Sequence, residues 1–580
     1  MNKELETIIV RALNNSRNLH PPTYLGIRLL ADSFPNNDES LWINSFIDRK
    51  VRVRKRWRYH YFSGVKKIES DIDIQYRKFM IGSPLTVLVE AYLLRVLSES
   101  PHFQPHSAAY SYLWPKSKKS GRSHEYYSLG YEKRNRKVSQ ILRDNPDYNA
   151  LIFDIKNFYP SVSQTELEQR LAKRLNNLHP QEYREPIRTF INDLLEQTPQ
   201  GIPIGPEMGH MIGHIALEDV DKELYKVFGE RYLRYVDDII LVCDREEEKT
   251  APSILESILK NTNMGNLELN ETKTHTVNSE TWLNHIPTFD GSFGTLVQSF
   301  SIYLMFNPDE FRDLRSTFQN EGFSLPFQRI MTLSKYNRYA AYIHSMLKYR
   351  KNGFKWLVRT IRSSKDDLLN LAQNTKKSLI QEYESLAEIT LPKDGIERKW
   401  LIQKYKYYIN RMLYLISPSE YSELEDKIPK TEEFNETAVL ISAFKTNNIN
   451  NIVKLPGRIV QAFSELWSET QSGSPGFNWD GEITPPMIDS LATLSIYRVI
   501  NIPDSVLTTL NTEQRTLLQF CSGIKNDDSN ISSLSYLDEL KTLFAGVDRK
   551  NLHNFTASRF SDTEDMLLET LRLGSGYFSR

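Results

Sequence analysis

Apolar and polar positions alternate most informatively in the middle of the chain. NALIFD, ending at Asp154, is an apolar run of strand length that closes on a carboxylate and runs into the Pro-containing turn of KNFYPSVS. The period then changes: SQTELEQRLAKRL sets leucines at helical spacing behind a Ser/Glu capping pattern. QTPQGIPIGPEMG reads as a Gly/Pro loop, and HMIGHIALEDVDKELYKVF behind it as one helix. RYLRYVDDIILVCD predicts strand, tight turn, strand, with Asp237 and Asp238 at the bend. A helix over 251–262 and a strand-like LELNETKTHTV containing Lys273 complete the segment. The economical reading is a small sheet with helices packed on one face.

The flanks read differently. Residues 1–50 look helical, 80–98 read as a turn at Ser83-Pro84 feeding an amphipathic helix, and 101–148 look loop-rich and basic. From about 306 helical patterns dominate, with loops near 390–395, 417–432 and 471–485. At 580 residues the chain is too long for one core. No apolar stretch reaches membrane-spanning length, and the N-terminus lacks the plan of a signal peptide, so an intracellular, cytoplasmic protein without membrane association is expected. The two cysteines, Cys243 and Cys521, are too few for a disulfide framework or a cysteine zinc knuckle.

Charge changes the picture because the balance of 73 basic against 73 acidic residues hides an asymmetry. Residues 50–80 carry ten Lys/Arg against three Asp/Glu, residues 116–143 nine against two, and residues 334–414 seventeen against seven. Residues 415–580 reverse this, with fourteen against twenty-three. Basic runs interleaved with rings, such as RVRKRWRYHYF, suit a polyanion: cations for phosphate, aromatics for stacking. Nucleic acid is the partner this predicts.

Two adjacent carboxylates in an apolar run repel one another, and burying them unpaired is costly. Cations, a water-exposed turn or a metal ion could compensate. Asp154 stands 83 residues before Asp237 at the end of its own strand. If strand and hairpin pair, the carboxylates converge. An oxygen-only set of this kind suits Mg²⁺, and a pair of such ions can clamp the attacking and leaving oxygens of phosphoryl transfer.

The ordered set LIFDIKNFYPSV, PQGIPIG, RYVDDIILV and LELNETKT resembles motifs A, B, C and D of reverse transcriptases. QYRKFMIGSPLTVLVEAYLLRVL upstream is similar to the fingers segment of bacterial and group II intron enzymes. The resemblance covers roughly residues 70–300. It implies a right-hand polymerase fold of the α+β class, with fingers, a palm built on a small antiparallel sheet and a short thumb, here followed by a long all-α C-terminal region. It implies catalysis at Asp154, Asp237 and Asp238, with Asp154 and Asp237 as principal ligands of two Mg²⁺ ions and the Ile155 carbonyl adding an oxygen. Tyr159 matches the steric gate that selects dNTPs. Gln200 and Gly201 match the motif B pair lining the nucleotide site, where glycine would let the backbone approach the substrate. Lys273 matches the motif D general acid for pyrophosphate, and Arg77, or Lys78 beside it, the fingers cation on the triphosphate.

The pattern departs from the family in places. TFDGSFGTL at 288–296 is a poor stand-in for motif E, and neither an RNase H constellation nor an endonuclease segment is recognisable. A reverse transcriptase core with a long helical extension resembles the bacterial abortive-infection and defence-associated group, which implies antiphage defence. Synthesis that is untemplated or starts from a protein hydroxyl, Tyr577 among the candidates, is carried over from that group as an open mode. The alternatives are a retron-type or group II intron-derived enzyme and an inactive nucleic-acid-binding scaffold or sensor. The domains expected are an N-terminal and fingers region to residue 150, a palm over 151–305, a basic thumb-like region over 306–415 and an acidic helical domain over 416–580. Expected partners are dNTPs and an RNA or DNA template-primer, including a non-coding RNA, and the helical extension gives room for a homo-oligomer or partner protein.

Overall fold

The computed structural model of the chain describes residues 3–17, 19–32, 45, 48–53, 56–68, 74–116, 118, 120–125, 127–285, 292–325, 353–455, 458–470, 474–479, 481–523 and 535–544. Parts of the expected thumb-like and acidic regions (326–352 and 545–580, with Tyr577) lie outside the described residues, as does 288–291 in the motif E stand-in.

Two helices, α1 (Lys3–Arg17) and α2 (Pro21–Asp32), precede an antiparallel hairpin of β1 (Tyr59–Ile68) and β2 (Ile74–Gly82). Strand β1 takes in only the end, Tyr59–Phe62, of the basic, aromatic run RVRKRWRYHYF. Helix α3 (Pro84–Ser98) begins at the expected Ser83-Pro84. It is not amphipathic: residues on every side are buried, because α1, α2 and β2 surround it. Helix α4 (Tyr127–Asp144) runs through the segment expected to be loop-rich.

The palm sheet has the strand order β4 (Tyr232–Tyr235), β5 (Asp238–Cys243), β3 (Asn149–Asp154), β6 (His275–Asn278), all neighbours antiparallel. Its side chains alternate with period two, and both faces are covered, not one. Leu151, Phe153, Tyr232, Ile239, Leu241 and Cys243 enter the large core that runs from α1 to the last described helix. Ala150, Leu233, Ile240, Val242 and Val277 face a second cluster with Val138, Leu142, Trp282 and Trp400. Sandwiching explains why the strands read as continuous apolar runs.

Between β3 and β4 lie a short helical turn (Phe158–Ser161), α5 (Gln164–Asn176), α6 (Arg184–Glu196), α7 (Glu207–Ala216) and α8 (Glu218–Phe228). Ser163 caps α5 as expected, accepting from the Glu166 amide at 3.4 Å. The single helix expected over 210–228 is two, broken at Leu217. Helix α9 (Arg245–Asn261) starts six residues before the expected one, because Asp244 and Glu247 form a reciprocal capping box. Lys273 sits on a 3-10 turn (Glu271–Lys273) and not in a strand.

Every described helix or strand after Asn278 is helical. Those helices return to the N-terminal part of the fold: the Glu539 carboxylate accepts from the Leu85 amide at 2.6 Å and from Ser83 Oγ at 2.8 Å, capping α3. No described helix is long and apolar enough to cross a membrane.

Candidate active site

The β4–β5 hairpin turns on Val236 and Asp237, so Asp238 is the first residue of β5 and not part of the bend. Val236 takes φ +56, a left-handed conformation that is sterically costly for a β-branched side chain. Its surroundings hold it there. The Val236 amide donates to Ser111 Oγ at 2.9 Å, and its carbonyl accepts from Arg234 Nη1 at 2.8 Å. Arg234 is in turn clamped by Asp221 of α8, with Nε and Nη2 each 2.6 Å from a carboxylate oxygen. Tyr232 Oη donates to the same carboxylate at 2.5 Å. Burial works against the Arg234 charge, and the Asp221 carboxylate outweighs it, holding the guanidinium above its ordinary range.

Register brings the carboxylates together. Asp154 lies directly opposite Asp238 in the β3–β5 ladder, so the two side chains share one face of the sheet. The Ile155 amide donates to the Asp237 carbonyl at 3.2 Å. On this extended residue the Ile155 carbonyl therefore faces the same side, toward the turn. The residue in register with Asp154 is Asp238, with Asp237 beside it in the turn.

A cation already sits on Asp154. Lys273 Nζ lies 3.1 and 3.0 Å from its two carboxylate oxygens, and Asn270 Nδ2 donates to one of them at 3.1 Å. The Asn270 amide also donates to the Asp154 carbonyl at 2.8 Å. Asp154 and Asp238 share a face and Asp237 adjoins them in the turn, but the three carboxylates do not close to within 4.8 Å of one another; an oxygen-only set of this chemistry suits hard divalent ions. Asp154, Asp237, Asp238 and the Ile155 carbonyl are the groups that would hold them.

Tyr159 lies on the short turn after Asp154, entered through Asn157 at φ +48. Phe158 is buried, while Tyr159 is half-buried with its hydroxyl 3.2 Å from His210 Nδ1. His210, on α7, is stacked by Tyr112 at 3.5 Å between centroids, and burial drives its imidazole well below its ordinary range. Burial and the nearby Asp237 charge raise the Tyr159 phenol, with Arg77 acting in the opposite direction. Arg77 on β2 is therefore within electrostatic reach of the ring, and Lys78, its neighbour, is on the alternate face of the strand.

Gly201 has φ +68, and a Cβ there would lie 2.0 Å from the Tyr159 carbonyl and 2.7 Å from Pro160 Cα. Glycine is needed here for contact with the backbone of Tyr159 and Pro160. Three bonds hold the loop: the Ile202 amide to the Tyr159 carbonyl at 2.8 Å, the Met80 amide of β2 to the Ile204 carbonyl at 2.8 Å, and Gln164 Nε2 to the Gly201 carbonyl at 2.9 Å. The Gln200 side chain is exposed beside it. Gln164, Asn270, Asp221, Arg234 and His210 were not singled out by sequence, since their partners lie far away in the chain.

Residues 96–304 match the family model for reverse transcriptase (RNA-dependent DNA polymerase). The chain therefore contains a reverse transcriptase domain, the catalytic unit of an RNA-directed DNA polymerase and a nucleotidyltransferase. Such a domain has the right-hand polymerase fold, binds template nucleic acid and dNTPs, and belongs to enzymes that generally use divalent metal ions. The β1–β2 hairpin with Arg77 and Lys78 lies outside the matched span. Among solved structures the chain is similar to a telomerase from Candida albicans in complex with a fragment of telomeric RNA. The identity is 12%, each chain is covered over 69% of its length, and the TM-score is 0.27, too low to carry an argument. No curated protein matches.

Proposed function

We propose that the chain copies RNA into DNA by two-Mg²⁺ nucleotidyl transfer at Asp154, Asp237 and Asp238, and that it does so in antiphage defence. The observation that carries the chemistry is the register of Asp154 against Asp238 with Asp237 in the adjoining turn, inside the matched domain. Ions bound there supply charge neutralisation on the triphosphate and acidify the attacking 3′-hydroxyl.

The chain's own residues do the rest. Tyr159, pinned by His210, excludes a 2′-hydroxyl beneath the sugar. Gln200 and the Gly201 loop border the nucleotide, and Arg77 binds the triphosphate with a guanidinium fork. Asp154 would be among the residues holding a divalent ion, and Lys273, whose Nζ rests against that carboxylate, is the group placed to give a proton to the departing pyrophosphate. Its side chain is 49% exposed and has room to swing.

The defence role rests on the resemblance of a reverse transcriptase core followed by a long helical region. The same reading divides the chain into a fingers region to residue 150, a palm over 151–305, a thumb-like region over 306–415 and an acidic helical domain beyond, acts in the cytoplasm and leaves room for an RNA partner or self-assembly.

The test is dNTP incorporation by purified protein that keeps its co-purifying RNA, in Mg²⁺, against Asp237→Asn, with the products sequenced. A product copied from a defined RNA supports templated synthesis, and homopolymer or protein-linked DNA supports the abortive-infection mode. Substantial synthesis by Asp237→Asn would sink the site assignment.

A further inference from the structure

Away from the polymerase centre, three potential ligands from distant parts of the chain meet. They are His20, preceding α2, His60 on β1, and Asp489 on the helix Pro485–Ile496. Their donor atoms all lie within 4.8 Å of one another. Asp489 Oδ1 is 3.4 Å from His60 Nε2 and 3.7 Å from His20 Nε2. Charge-assisted hydrogen bonds are shorter, about 2.7–2.9 Å. The observed separations instead approach the edge of a tetrahedron with zinc bonds of about 2.0–2.1 Å, an edge of roughly 3.3 Å.

His20 is 2% exposed, and its Nε2 is buried without a hydrogen-bond partner. Its other nitrogen is engaged: Nδ1 lies 3.0 Å from Thr23 Oγ1, which is 2.8 Å from Tyr536 Oη, with the Thr23 amide at a longer 3.4 Å. An Nδ1–H donated to Thr23 leaves the Nε2 lone pair aimed into the cluster, the arrangement of a metal-bound histidine with an outer partner. Asp489 is 7% exposed, and the Nε2 atoms of both histidines lie against its Oδ1, so the three ligand atoms meet in one largely buried place.

We propose that His20, His60 and Asp489 form a structural zinc site that fastens the C-terminal helices to the fingers hairpin. It is independent of the polymerase reading. Two imidazoles and one carboxylate suit zinc better than magnesium, which takes oxygen ligands. The fourth position is left for water or a further oxygen donor.

The experiment is elemental analysis of the full-length, tag-free protein purified without chelator. About one zinc per chain is expected in wild type and in Asp237→Asn, falling at least fivefold in His60→Gln and Asp489→Asn. Removing the metal from wild type should lower the melting temperature, and zinc, but not magnesium, should restore it. Zinc X-ray absorption of the wild-type protein needs no variant, and should show nitrogen and oxygen neighbours only. Wild type that neither contains nor takes up zinc, a zinc content unchanged in both site variants, or sulfur in the coordination shell would each overturn the assignment.

Discussion

Asp221→Asn tests how the catalytic turn is held. The Arg234 and Asp221 side chains are each 1% exposed, and the guanidinium bridges Asp221 to the carbonyl of the strained Val236. Asparagine keeps the shape and removes the charge. The guanidinium cannot shed its proton, so it stays buried and uncompensated, which costs about 3–5 kcal/mol. Arg234→Met together with Asp221→Leu removes both charges, and such apolar replacements are about neutral or better. Tyr232 Oη and the Val236 carbonyl then lose partners, at about 1–3 kcal/mol for a buried group. The double variant should therefore be at least as stable as Asp221→Asn, the apolar replacement offsetting the two lost bonds. Both should lose at least tenfold in dNTP incorporation at a temperature where both are folded, about 1.4 kcal/mol of transition-state stabilisation. Urea unfolding and single-nucleotide extension measure the two quantities. If Asp221→Asn unfolds within about 1 kcal/mol of wild type, or the double variant polymerises at the wild-type rate, the clamp does not position the turn.

Three further outcomes are expected. Tyr159→Ala should admit ribonucleotides, raising the relative kcat/KM for rNTP over dNTP by tenfold or more in matched extension assays; an unchanged ratio would place the gate elsewhere. Gly201→Ala must push against the Tyr159 carbonyl and adopt a left-handed φ, the latter alone costing about 1–2 kcal/mol, so dNTP KM should rise and the melting temperature fall; wild-type values for both would refute the packing argument. Glu90, 5% exposed, accepts the Met208 amide at 2.9 Å, and burial pushes its carboxyl up to about 8 from 4.5. Between those values the folded chain binds the extra proton. Its contribution is therefore fully present below pH 4.5 and is lost at up to about 1.4 kcal/mol per unit as pH rises toward 8. Glu90→Gln should flatten that slope in urea midpoints taken from pH 5 to 8, and parallel slopes would contradict it.

What could be read from the chain was local. NALIFD and IILVC carry unbroken apolar runs, Ser163 stands three residues before Glu166, and Val-Asp-Asp sits between strand patterns, so β3, α5 and the hairpin follow from neighbours in sequence. The misses have non-local causes. YHYFSGVKKI mixes rings, glycine and lysines without clean alternation, and is a strand because Ile74–Gly82 pairs with it. The break at Leu217 leaves the helical period nearly intact and hides in it. Lys273 could be aligned with a motif, but its contact with Asp154 spans 119 residues. Asp221 looks like one more helix-surface acid until α8 is packed against β4, and nothing local marks it as the partner of Arg234.

The capping of α3 by Glu539 bears on the order in which the protein is made. A ribosome delivers the carboxylates of the palm hundreds of residues before it delivers the side chain that completes the N-terminus of a central fingers helix. Tyr536, which meets Thr23 and packs beside His20 and His60, arrives equally late. A nascent chain can therefore assemble its palm sheet early, yet its fingers stay uncapped until translation has passed Glu539. Synthesis interrupted before that point leaves the Leu85 amide and Ser83 Oγ without their Glu539 partner, and His20 and His60 without the Tyr536 ring.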